Sequence, residues 1–245
     1  MNLMITAHCD DEMFFGGQEL LIEPLNYEVL CITHNSNEGE FIKIMKELKI
    51  KYELWDFKAN GKQHIFESND DKNIYNLIKK KLLNTNYDKI VTHNINGEYG
   101  HPQHVLLSLI VYLICKELNI FHKLFNFDLT GKGRNLRKEK YFLYKNNNKN
   151  IYQPEIFEKN NTLNEIYYGN DIIEKKLRYS KMYSKSWGLL TGPLVEYLNY
   201  SIITKCNHEC YFNNITKPRW LPRLNNCILY QNISVKNKLL ELKII

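Results

Sequence analysis

His8, Asp10, Asp11 and Glu12 put four titratable side chains into five consecutive positions, and His101 and His104 bracket the segment HPQH near position one hundred. At the end of a buried strand such a cluster is costly to desolvate unless a cation or water compensates it. Taken alone, the acidic run would serve equally well as a cap on the first turn of a helix, but a cap does not account for His8. In the second segment, residues at i and i+3 near a helix start share a face, so one imidazole can bind a metal while the other addresses a substrate. A histidine pair by itself is more often a core or capping feature; joined to His8 and Asp11 it reads as part of a ligand set.

Two neutral imidazoles and one carboxylate form an open zinc set that leaves a position for water and a substrate oxygen. Zinc in such a set brings the pKa of water to about 7 and polarises a carbonyl, while a neighbouring carboxylate free of the metal takes the water's proton. Asp10 is the natural candidate for that base. His101 and Tyr99 can supply the groups needed at the oxyanion and at the leaving amine.

The elements that must bring these segments together follow from periodicity. Short β-rich runs alternate with helical patterns, the signature of βαβ units and a parallel sheet. Strands are expected at Asn2–Thr6, Tyr27–Thr33, Tyr52–Phe57 and Lys89–Thr92. Helices are expected from Gly17 after a Gly16-Gly17 turn, over Phe41–Leu48 (Phe41, Ile44, Met45, Leu48), around Ile74, Leu77, Ile78 and Leu82, and from about His104 to Glu117. The chemistry-bearing segments therefore fall at the carboxyl ends of strands, where open α/β sheets bind ligands. His34 and His93, with Asn35 and Asn94, sit at such ends too and are expected behind the site or against substrate.

Beyond Asn119 the pattern changes to a long excursion with a strand at Tyr141–Tyr144 and a basic cluster of Lys132, Arg134, Arg137, Lys138 and Lys140. A helix from Asp171 to Leu190 carries Ile172, Leu177 and Met182, and Trp220 to Ile245 suggests two strands and a terminal helix. His208 between Cys206 and Cys210 offers three soft ligands without a finger-like partner. The expected fold class is α/β, a Rossmann-like three-layer sandwich with a mainly parallel sheet. It forms a single domain over 1–245, with a core at 1–120 and irregular C-terminal additions.

Composition narrows the class further. Hydrophobic residues at 44% and charged residues at 24% are ordinary for a globular chain. The net charge of +6 comes from scattered lysines with no nucleic-acid-binding motif beside it, so no nucleic-acid partner is expected. None of the six cysteines forms a C-x-x-C pair. With no signal-like start and no apolar run of transmembrane length, the expected location is cytoplasmic.

The segments AHCDDEMFFGG and HNINGEYGHPQHV resemble the two defining motifs of the PIG-L/LmbE family of zinc-dependent N-deacetylases, A-H-P-D-D-E with trailing glycines and G-H-P-x-H. Ala7, His8, Asp10, Asp11 and Glu12 match the first; Gly100, His101, Pro102 and His104 match the second, with Tyr99 before them. The resemblance implies His8, Asp11 and His104 as ligands of Zn2+, Asp10 as general base, and His101 as the group that stabilises the oxyanion or protonates the amine. The chain departs from the pattern at three positions. Cys9 replaces Pro and is read as a small buried residue; Gln103 replaces an Asp that would raise the basicity of His101; Asn37, three residues before Glu40, stands where members often carry Arg.

The function expected from residues and resemblance together is hydrolysis of the N-acetyl group of an amino sugar, giving acetate and a free amine. The substrate would be a small molecule or a glycan, with a nucleotide sugar slightly favoured by the basic loop. The alternatives are a metal-dependent amidase on a thiol-sugar conjugate, and a catalytically silent sugar-binding protein.

Overall fold

A computed structural model describes residues 1–33, 35–60, 65–66, 70–94, 98, 101–129, 170–186 and 201–205. Strand β1 (Asn2–His8) leads into helix α1 (Asp11–Ile22), then β2 (Tyr27–Thr33), α2 (Glu38–Glu47) and β3 (Lys51–Leu54). A two-residue pair, β4 (Ala59–Asn60) and β5 (Ile65–Phe66), precedes α3 (Asp70–Asn84). Then come β6 (Ile90–Thr92), α4 (Pro102–Glu117), β7 (Leu124–Leu129), α5 (Asn170–Met182) and β8 (Ser201–Lys205).

Side chains alternate across a strand, so a strand buried on both faces is apolar at nearly every position. In β1, Leu3, Ile5 and Ala7 enter one core with Ile74 and Ile78 of α3 and Leu107 and Ile110 of α4. Met4 points to the other core, with Met13 and Phe15 of α1 and Phe41 and Ile44 of α2. Leu30 and Ile32 against Val29 and Cys31 repeat the division in β2. Helices therefore cover both faces of one sheet, and the expected three-layer α/β sandwich is the architecture found.

The sheet order is β3-β2-β1-β6-β7-β8. The first five strands run parallel, and β8 is antiparallel to β7. Because the chain moves outward from β1 to β3 and then returns to β6 on the other side, the strand order reverses at β1. In open α/β sheets such a reversal is where ligands bind, beyond the carboxyl ends of the strands. His8 ends β1 and His93 follows β6, so the two flank that reversal.

Several expectations need correction. Helix α1 begins at Asp11, and Gly16 and Gly17 lie inside it. They serve packing: a Cβ at Gly16 would stand 2.5 Å from Met4 Cε and 3.0 Å from Phe127, and one at Gly17 would stand 3.2 Å from Lys176 Cγ. Leu77 is 42% exposed, and Tyr75 takes its place on the buried face of α3. The supposed excursion after Asn119 opens with a parallel strand, β7, whose Leu124, Asn126 and Phe127 are buried. The buried residues of α5 are Lys176, Tyr179 and Ser180, whereas Ile172, Leu177 and Met182 are half-buried. The predicted strand Tyr141–Tyr144, the basic cluster of Lys132, Arg134, Arg137, Lys138 and Lys140, the 206–210 cysteine segment and the tail from Trp220 lie outside the described residues. Among the described residues no helix is long and apolar enough to cross a membrane.

A buried carboxylate near the amino end of β2 contributes to stability. Glu28 Oε1 accepts from Lys81 Nζ at 2.7 Å, and Oε2 accepts from Lys51 Nζ and the Tyr87 hydroxyl at 3.0 Å each. Burial alone would raise its pKa, but these donors hold it below the usual carboxylate value. A depressed folded-state pKa gives stability that is present above the unfolded value and is lost as pH falls. Urea unfolding of Glu28→Ala is expected to show a loss of about 3 kcal/mol at neutral pH. The gap to the parent should narrow below about pH 4; a gap independent of pH would rule out the ion pair as its source.

Candidate metal centre

Among the described residues, two overlapping donor groups lie close enough to share an ion: His8, His101 and His104, and Asp11, His93 and His104. Hydrogen bonding decides which atoms face outward from the protein matrix. Glu98 Oε2 lies 2.6 Å from His104 Nδ1, and an ionised carboxylate only accepts, so the His104 proton is on Nδ1 and Nε2 carries a lone pair. Gln103 Oε1 accepts at 2.7 Å from His8 Nε2, which leaves the lone pair of His8 on Nδ1.

Those two lone pairs meet a third acceptor. His8 Nδ1 is 3.1 Å from both Asp11 Oδ2 and His104 Nε2, and the last two are 3.3 Å apart. With both imidazoles neutral in these tautomers, three acceptor atoms converge, an arrangement that a cation at the centre compensates. Donors on bonds of about 2.1 Å to one ion are about 3.0 to 3.4 Å apart, so the separations fit a metal. Burial would keep the His8 imidazole neutral, yet the adjacent Asp11 carboxylate raises its proton affinity above the ordinary value. The point of convergence favours positive charge. The residues present thus fit a divalent ion: His8, Asp11 and His104 form a buried or half-buried His/Asp set able to hold one.

His93 does not join this set. Its Nε2 accepts from the Ala7 backbone N–H at 3.0 Å, and its ring stacks behind His104 with centroids 3.8 Å apart. Both His93 and Asn94 are buried, and the Asn94 side chain donates to the Phe127 carbonyl, so neither lines the cleft. His101 is half-buried, its ring 4.7 Å from that of His8 and 4.5 Å from that of His104. Tyr99 and His34 lie outside the described residues.

The acidic run divides into separate environments. Asp10 makes no side-chain cap hydrogen bond to α1, which excludes the capping alternative for it. Its Oδ2 accepts from Asn37 Nδ2 at 3.1 Å, and the Ser186 hydroxyl also bonds it. Burial and the Asp11 charge push the Asp10 carboxyl up to about 7, against the opposing pull of His8, Ser186 and Asn37. Burial and the nearby Asp10 and Asp11 charges raise Glu12 to about 8, although Tyr183 donates to its Oε1 at 2.5 Å. Asp11 is held well below its ordinary value by His104 and His8 despite burial. At neutral pH the run therefore holds one firm anion, one carboxyl near its midpoint and one neutral acid.

The departures from the family pattern are also placed. Cys9 is buried, with Sγ 3.6 Å from Cys31 Sγ, as a small core residue. Gln103 Oε1 is bonded to His8 Nε2 at 2.7 Å. Asn37 holds Asp10. The sequence reading missed Glu98, Tyr183 and Ser186. A carboxylate six residues ahead of His104 was a usable signal, because metal-binding imidazoles commonly donate their second N–H to a carboxylate. Tyr183 and Ser186 gave no local signal: Tyr183 lies 171 positions from Glu12, and Ser186 lies 149 from Asn37.

No family model matches the chain. It is 37% identical over 130 residues to an uncharacterised protein of Acanthamoeba polyphaga mimivirus, a match covering 45% of this chain and 56% of that protein. The chain thus spans about half the length of that curated relative. Among solved structures it is similar to the antimicrobial reagent A40926 pseudoaglycone deacetylase Dbv21, with a TM-score of 0.52 at 14% identity over 78% of this chain and 84% of that one. A conserved protein from Thermus thermophilus follows with a TM-score of 0.49 at 13% identity, over 83% and 93% of the two chains. The likeness to the first of these establishes the fold.

Proposed function

We propose that the protein is a zinc-dependent hydrolase that removes the N-acetyl group from an amino sugar, releasing acetate and a free amine. The observation that carries the reading is the convergence of His8 Nδ1, Asp11 Oδ2 and His104 Nε2 within 3.1–3.3 Å of one another, with a metal-free carboxylate, Asp10, next in the chain. The resemblance of both motifs to the PIG-L/LmbE pattern and the likeness in fold to a deacetylase point the same way.

A zinc ion held by these three residues supplies Lewis acidity, bringing the pKa of water to about 7 and polarising the amide carbonyl. The protein's own groups do the rest. Asp10, near its midpoint at neutral pH, takes the proton of the attacking water. His101, beside His8 and His104, stabilises the oxyanion or, as an imidazolium, donates its own proton to the leaving amine, with Tyr99 assisting. The substitutions Cys9, Gln103 and Asn37 each have an accommodated place around the set, which supports an active site over a silent sugar-binding relic.

The test is bound-metal analysis with acetate release from neutral N-acetylglucosamine, UDP-N-acetylglucosamine and a thiol-sugar conjugate. About one zinc per chain and zinc-dependent acetate release from an N-acetyl sugar are expected. Turnover of the thiol conjugate alone would favour the amidase, and metal-independent sugar binding without acetate would overturn the hydrolase.

A further inference from the structure

Glu98 makes more contacts around the centre than its support of His104 requires. Its Oε2 is bonded to His104 Nδ1 at 2.6 Å and also to His93 Nδ1 at 2.8 Å, and its Oε1 accepts from the Asn94 N–H at 3.0 Å. All participants are buried. Behind them, His93 Nε2 accepts from the Ala7 N–H, one residue ahead of His8. Every proton along this path has a fixed place: Ala7 N–H to His93 Nε2, His93 Nδ1–H to Glu98, and His104 Nδ1–H to Glu98. The residue that organises the path adopts φ 55, the left-handed region that non-glycine side chains rarely take.

Resting on the reading of His8, Asp11 and His104 as the ligand set, we infer that Glu98, backed by His93, is a positioning residue. It locks His104 with its Nε2 lone pair on the metal, and it tethers that imidazole to β1 at the residue before His8. The same carboxylate adds a negative charge one imidazole away from the ion, so together with Asp11 it balances a divalent cation. A second consequence concerns His93, which looks like a ligand by distance from Asp11 and His104. Its Nε2 lies 3.4 Å from Asp11 Oδ2 but accepts from the Ala7 amide at 3.0 Å, which turns that lone pair away from an ion, and its Nδ1 orients Glu98.

The experiment measures zinc affinity by competition with a chromophoric chelator for the full-length parent and Glu98→Gln, together with 15N NMR of the histidine rings in the zinc-loaded parent. Removing the carboxylate charge is expected to weaken zinc binding about 10- to 100-fold. In the parent, His104 and His93 should both carry the proton on Nδ1, and zinc should shift the Nε2 resonance of His104 but not that of His93. Parent-like affinity in Glu98→Gln would overturn the inference while leaving the zinc site intact. A parent that binds no zinc would overturn the hydrolase reading itself. Should Glu98→Gln fail to fold, the parent's ring resonances decide: a proton on His104 Nε2, or zinc on His93 Nε2, rejects the assignment.

Discussion

Replacing His104 by alanine is expected to empty the site of zinc and lower kcat/KM on an N-acetyl sugar by about a thousandfold or more. The imidazole is wholly buried and supplies one of the three donors assigned to the ion, 3.1 Å from His8 Nδ1 and 3.3 Å from Asp11 Oδ2. With it gone, two donors remain, and an ion held by two donors is poorly retained and poorly oriented. A thousandfold corresponds to about 4 kcal/mol of lost transition-state stabilisation, within the several kcal/mol that Lewis-acid polarisation provides. Chelator treatment of the parent should produce the same loss and zinc should reverse it, whereas zinc should not rescue the variant. Because the substitution opens a cavity at the start of α4, circular dichroism must show that the variant is folded. A folded variant with full zinc and full activity would place the metal elsewhere.

The four carboxyls around this point explain how so much acid is tolerated in a protein interior. Glu98 is held at about 2 because the two imidazoles that donate to it outweigh the effect of burial, and Asp11 is likewise kept ionised by His8 and His104. Glu12, in the first turn of the apolar α1 and facing the Tyr183 hydroxyl, is raised to about 8 and is neutral at pH 7. Anionic character is thus concentrated where imidazoles and a cation answer it, and is absent where nothing would.

What is legible in the sequence follows from how local each signal is. His8 and Asp11 are three positions apart, His101 and His104 likewise, and the βαβ rhythm brings the two pairs to one sheet edge without further information. Strand β2 can be read with its bounds intact because all seven of its residues are buried and continuously apolar apart from Glu28 and Thr33. Strand β7 cannot, because FNFDL interleaves polar residues with the buried Asn126 and Phe127, a mixture that reads as loop. Gly16 and Gly17 read as a turn along the chain because their tertiary reason, close approach of β1, Phe127 and Lys176, is invisible there. The same applies to Ser186 and Tyr183: α5 and the turn after it reach the amino-terminal site only once the sheet has assembled, so no spacing rule could link them to Asp10 or Glu12.

Asp10→Asn carries the second large effect and is the sharper test of catalysis, since the substitution is nearly isosteric and leaves the three converging donors untouched. The amide cannot accept a proton from water, so kcat is expected to fall by about 10²- to 10⁴-fold with zinc content and KM near parental. Asn37→Ala and Ser186→Ala each remove a donor that holds the carboxylate in place and should lower kcat by about tenfold, the equivalent of one hydrogen bond. In a double variant with Asp10→Asn, the Asn37 and Ser186 effects should vanish, because they act only through that carboxylate. Losses that simply multiply would show Asn37 and Ser186 acting independently of Asp10. An Asp10→Asn protein indistinguishable from the parent, binding sugar without zinc and releasing no acetate, would assign this architecture to a binding protein instead of an enzyme.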